Sequence, residues 1–170
     1  MVHLDRVMLI DQLAHRLSRR SESVVAAESC TGGLVADRLT GKPGSSAWCD
    51  GGFVTYTIRQ KHVALGVPMA LIQRDGAVSE AVARAMALGA LRHSAADYAV
   101  AVTGFAGPDS DQAGVPVGTV WFAWAARQAG IGAVARSQVV QFAGDRADVR
   151  SQAADRAIEG FLSVVPEGAR

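Results

Sequence analysis

Apolar positions recur along this chain at helical spacing in some segments and as short continuous runs in others. Leu4, Val7, Ile10, Leu13 and Leu17 fall on one stripe at helical spacing, which predicts an amphipathic helix over residues 4–20 lying against a sheet. Ser23–Ala27 is short, apolar and β-branched, the pattern of a buried strand, and Thr31–Leu39 returns to helical spacing before Gly41 and Pro43 close it. Gly52–Tyr56 has strand character, and Lys61–Leu65 reads as a short helix stopped by Gly66 and Pro68. Ser79 followed by Glu80 is a suitable cap and first turn for a helix reaching about His93. Tyr98–Val102 is a second buried strand, broken at Thr103-Gly104. The Gly-, Pro- and Asp-rich run from Phe105 to Pro116 is a loop, long enough to suggest a functional one. Thr119–Arg127 and Ala133–Phe142 predict paired strands around Gly130, and Asp145 or a neighbour opens a last helix running to about Val164.

Early strand–helix units followed by a late hairpin predict a three-layer α/β/α sandwich on a mixed, largely parallel sheet, in a single domain spanning 1–170. Sites in such sheets lie beyond the carboxyl ends of the strands. Three polar or glycine-rich turns are expected at that edge: Glu28–Gly33, Thr103–Asp109 and Gly144–Arg146.

Composition narrows the function classes. The 170 residues suit one domain, and 49% apolar content with a net charge of +1 gives no basic face to attract nucleic acid. Cys30 and Cys49 form no CxxC pair, and His3, His15, His62 and His93 show no paired-ligand spacing, so no metal site is expected. With no signal-type h-region and no apolar run approaching ~18 residues, no membrane partner is expected and the reading is a cytoplasmic protein with reduced thiols.

The candidate chemistry sits at the turns. Glu28–Gly33 leaves a strand and enters a helix whose first N–H groups lack partners, and Gly32-Gly33 permits close approach of an anion; the plainer reading is a helix capped by Ser29 or Thr31. Neither GxxxxGK[ST] nor GxGxxG is present there. The strand exit at Thr103, Gly104 and Gly107 offers hydroxyl and N–H groups to a carbonyl or phosphate, or is simply a long connection. Lysine occurs only at Lys42 and Lys61, against fifteen arginines. A desolvated lysine can act as general base toward a serine hydroxyl, which arginine cannot; a solvated helix residue is the ordinary alternative for Lys61, and a half-buried strand residue for Tyr56. Cys30 at a helix start is a conceivable thiolate, but no histidine lies near it in sequence and a small buried core residue is the favoured role. Trp48, Trp121 and Trp124 are core or interface residues on the same reasoning.

The segments AESCTGG (27–33), PGSSAW (43–48), GGFVTY (51–56) with Lys61, GAVSE (76–80), AVTGFAGPD (101–109), PVGTVWFA (116–123) and FAGDRADVR (142–150) together resemble the C-terminal domain of the competence/damage-inducible protein CinA, whose stand-alone members include nicotinamide mononucleotide amidases. The resemblance implies hydrolysis of the mononucleotide carboxamide to nicotinic acid mononucleotide and ammonia, with no metal and no cofactor. It implies a serine nucleophile assigned to Ser46, with Ser29 as the alternative, Lys61 as general base and Tyr56 relaying or orienting the proton. The resemblance has Ser29 and Thr103 line the site; on physical grounds Thr31, Gly32, Gly33, Gly104, Gly107 and Arg146 are further candidate substrate contacts, with the phosphate on a helix N-terminus or paired with Arg146. The resemblance also suggests a homodimer. Two departures stand out: Thr57-Ile58-Arg59-Gln60-Lys61 replaces the usual Ser-Asn-Glu-Ala-Lys, and Val115 replaces a lysine. They motivate the alternative of a nucleotide-binding or partner-binding module that keeps the pocket without the chemistry.

Overall fold

The computed structural model describes residues 6–110, 112–128 and 131–168. Its order is α1 (Arg6–Arg20), β1 (Val24–Glu28), α2 (Leu34–Thr40), β2 (Cys49–Val54), α3 (Ile58–Leu65), α4 (Met69–Asp75), α5 (Glu80–Arg92), β3 (Tyr98–Gly104), β4 (Thr119–Gln128), β5 (Ile131–Gln141) and α6 (Arg146–Phe161). Leu4 and Gly130, which figured in the expected first helix and hairpin turn, lie outside the described residues.

The sheet order is β2-β1-β3-β4-β5. β1 pairs in parallel with both β2 and β3, whereas β4 is antiparallel to β3 and to β5. This is the expected mixed sheet, with its parallel part at β2-β1-β3. Strand alternation divides the core into two layers. Val24 and Ala26 of β1, Val100 and Val102 of β3, and Phe122 and Trp124 of β4 meet α1, α2 and α6. Val25, Ala27, Ala99, Ala101, Ala123 and Ala125 face α5 and the chain before it. The alanines on this second face keep α5 close to the sheet, and Gly89 of α5 continues that closeness outward. A Cβ there would lie 2.2 Å from the Leu65 carbonyl oxygen.

The helix caps follow the sequence where polar caps exist. Ser79 accepts from Val82 N–H, and Asp145 and Asp148 form a capping box at the start of α6. α4 has no such signal: Pro68 precedes it and no side chain caps it. The long loop after β3 is pinned, since Gln112 exchanges side-chain hydrogen bonds with both the N–H and the carbonyl of Val78.

Candidate active site

Because β1, β2 and β3 run the same way, Ser29, Thr55 and Phe105 leave the sheet at one edge. β5, antiparallel to β4, also ends there and delivers the chain to Asp145 and Arg146. The edge is therefore where the three expected turns converge.

Lys61 occupies the second turn of α3, which begins at the Thr57 cap and turns Lys61 inward over the end of β1. Its side chain is 2% exposed, its Nζ donates to Ser29 Oγ at 2.7 Å and to the Thr55 carbonyl at 2.9 Å. Thr55 is itself held by β1, its N–H and hydroxyl both donating to the Glu28 carbonyl. Burial, with no carboxylate to offset it, draws the lysine pKa down to about 8. Ile58 leaves this arrangement intact, being an exposed residue at the start of α3.

Ser46 is not part of the cluster. It lies exposed in a 3-10 turn over Ser45–Ala47, immediately before β2 begins. Ser29 follows the end of β1, and the two strands are parallel, so a strand length separates them. Five residues at ~3.3 Å each make that about 16 Å. The expected pairing of Lys61 with Ser46 is corrected on these grounds to one with Ser29.

The remaining candidates divide. Tyr56 is 57% exposed, and its hydroxyl accepts from Arg146 Nη2 at 2.9 Å, while Arg146 Nη1 donates to the Gly107 carbonyl. Tyr56 thus belongs with Arg146. Thr103 turns its hydroxyl away, donating to the Ala77 carbonyl at 2.7 Å. Gly104 crowds β4, where a Cβ would meet Thr119 at 2.7 Å. Cys30 is buried, and burial pushes its thiol up to about 12, so it remains protonated at neutral pH. The three tryptophans pack on the sheet layers.

The start of α2 already holds an anion. Glu28 is fully buried, and its carboxylate accepts from Gly33 N–H at 2.9 Å, Val35 N–H at 3.1 Å and Ala36 N–H at 2.8 Å. Gly32 N–H donates to the Ser29 carbonyl. The two glycines, at φ +61° and +104°, serve a self-capped turn, and their N–H groups are not open to a substrate phosphate as expected.

A model of the CinA C-terminal domain matches residues 7–165. The chain belongs to the CinA C-terminal domain family. Among its relatives, the nicotinamide-nucleotide amidohydrolase PncC of Pseudomonas putida is 46% identical over 159 residues, covering 94% of this chain and 96% of that protein. The protein of the same name from Escherichia coli K12 is 45% identical over 160 residues, 94% of each chain. The crystal structure of competence/damage inducible protein CihA from Agrobacterium tumefaciens superposes with a TM-score of 0.88 at 38% identity, over 96% of this chain and 98% of that one.

Three further residues support the cluster in this CinA-family fold and were not singled out from the sequence. Glu28 and Thr55 brace the turn and the lysine, as described. Arg150, one turn after Arg146 on α6, donates from Nε to the Cys30 carbonyl at 3.1 Å and from Nη2 to the Thr31 carbonyl at 3.0 Å. Its i, i+4 spacing from Arg146 was the available signal.

Proposed function

We infer that this protein is a nicotinamide-nucleotide amidohydrolase that converts nicotinamide mononucleotide to nicotinic acid mononucleotide and ammonia, with Ser29 as nucleophile and Lys61 as general base. The observation that carries the reading is the buried 2.7 Å contact between Lys61 Nζ and Ser29 Oγ. The names and coverage of its relatives supply the substrate.

The chemistry follows from the proton inventory. A lysine with its pKa near 8 is partly neutral at neutral pH, and the neutral amine accepts the Ser29 proton as Oγ attacks the carboxamide carbon. The carbonyl π pair moves onto oxygen. Collapse of this tetrahedral intermediate breaks the C–N bond, and Lys61 returns the proton to the departing nitrogen, releasing ammonia. A water, deprotonated by the same amine, then cleaves the acyl ester and restores Ser29 with a free carboxylate product. The Thr55 carbonyl orients the amine throughout. Arg146 is the phosphate partner in this reading, held by Tyr56 and the Gly107 carbonyl and lacking an ion pair among the described residues. Tyr56 then acts through Arg146 and not as a proton relay. The protein is taken to work in the cytoplasm as a homodimer, and sedimentation velocity giving twice the chain mass checks the latter.

Ammonia release from the mononucleotide tests the function. Wild-type protein releases it; Ser29→Ala and Lys61→Ala lose kcat by about 10³-fold or more while remaining folded, and Ser46→Ala keeps wild-type turnover. Full activity in Ser29→Ala contradicts the assignment, and a folded wild type that releases no ammonia favours the binding-module alternative.

A further inference from the structure

The residues just after Ser29 carry polar groups that have no partner. Among the described residues, neither the N–H of Cys30 nor that of Thr31 makes a hydrogen bond, and Thr31 Oγ1 is a buried hydroxyl without one. Thr31 is fully buried, whereas Cys30 beside Ser29 keeps 5% of its surface exposed. An orphaned buried N–H costs stability, and two in succession beside a lysine-bonded serine call for a physical reason.

The reason lies in what holds the matching carbonyls. In a trans peptide the C=O and N–H point in opposite directions, and the peptides here are trans. The Ser29 carbonyl, partner of the Cys30 N–H, accepts from Gly32 N–H at 3.1 Å. The Cys30 carbonyl, partner of the Thr31 N–H, accepts from Arg150 Nε. Both peptide units are therefore fixed through their carbonyls, the first by Gly32 within the turn and the second by Arg150 from α6, and each N–H points opposite its own carbonyl. Gly32 admits this clamp, since a Cβ there would sit 3.2 Å from Arg150 Nη2. Glu28 has already taken the N–H groups of Gly33, Val35 and Ala36, which leaves only the pair nearest the nucleophile.

We propose that the N–H of Cys30, the residue that follows the nucleophile and keeps some exposure, is the oxyanion donor of the amidase site, and that Arg150 is the positioning residue that holds the turn carrying it. The proposal rests on Ser29 being the nucleophile. When Ser29 Oγ bonds to the carboxamide carbon, the oxygen receiving the π pair forms beside the amide that follows the serine. A pre-aimed N–H there stabilises the developing charge without reorganisation. Arg150 has no carboxylate partner among the described residues, so its positive charge further polarises the peptides it binds.

The test separates transition-state from ground-state binding. Replacing the amide at residue 30 by an ester removes one N–H and leaves every side chain in place, and kcat then falls about 10²- to 10³-fold. Arg150→Ala loses kcat by at least about 10-fold, with KM and affinity for the product mononucleotide within about 3-fold of wild type. Arg150→Lys recovers part of the loss. Affinity for the substrate aldehyde, which forms a tetrahedral adduct with Ser29, falls in parallel with kcat in each variant. The pH inflection set by Lys61 stays in place. Wild-type kcat in the ester protein, or equal loss of product and aldehyde affinity in Arg150→Ala, overturns the proposal. Retained activity in Ser29→Ala removes the nucleophile assignment instead.

Discussion

At the scale of single residues, the proposed chemistry depends on one amine being kept out of water. Lys61 stood out in the sequence as one of two lysines among arginines, and its partner did not. Ser46 and Ser29 both sit in small-residue turns flanking strands, and local pattern cannot distinguish a turn before a strand from one after it. Only the direction of β2 relative to β1 does so. Tyr56 was a candidate in the sequence, and its hydroxyl meets Arg146, ninety positions away. Removing that hydroxyl deletes one hydrogen bond to a charged group near the mouth of the site. Tyr56→Phe accordingly raises KM by about 2- to 10-fold, the equivalent of a net hydrogen bond, with kcat within about 3-fold; steady-state ammonia kinetics read the split. A loss confined to kcat returns Tyr56 to the proton path.

At the scale of elements, the turn from β1 to α2 shows how a strand residue can organise a helix. Glu28 ends the apolar run VVAAE and looks from the sequence like the first polar residue of a ligand loop. In the fold its carboxylate caps α2 while its carbonyl holds Thr55, so one residue braces both sides of the Ser29–Lys61 pair. Sequence patterns expose a cap when it lies next to the helix, as Ser79 and Asp145 do. They miss one supplied five to eight positions upstream, and they miss α4, whose seven residues carry no polar cap. Glu28→Gln keeps the shape but turns an amide N–H₂ toward backbone donors. It lowers the unfolding free energy by about 1–3 kcal/mol, measured by urea denaturation. Unchanged stability would show that the carboxylate is not what holds the start of α2.

At the scale of the molecule, the layered architecture was readable because the helices carry apolar stripes at a period of 3.6 while the central strands, buried on both faces, are short continuous apolar runs. What the pattern withheld was the strand order that gathers Ser29, Lys61, Tyr56, Arg146 and Arg150 at one edge. Holding a lysine there has a whole-molecule signature. Its pKa is about 8 folded against an ordinary 10.5, so between these values the unfolded chain binds a proton that the folded chain does not. Stability from this group therefore rises with pH across that window, and below 8 the folded protein bears the full cost of a buried charge. Relative to Lys61→Met, wild-type unfolding free energy climbs from about pH 8 to about 10.5 and is flat below it. A constant difference over that range would place Lys61 in solvent-like surroundings. The most direct test of the Ser29–Lys61 pair is the pH dependence of kcat/KM for ammonia release from nicotinamide mononucleotide. The account predicts a rise with a slope of one proton that levels off above about 8 as the Lys61 amine becomes neutral. A profile flat from pH 6 to 9, or one that falls as the amine loses its proton, would contradict a neutral lysine acting as the base.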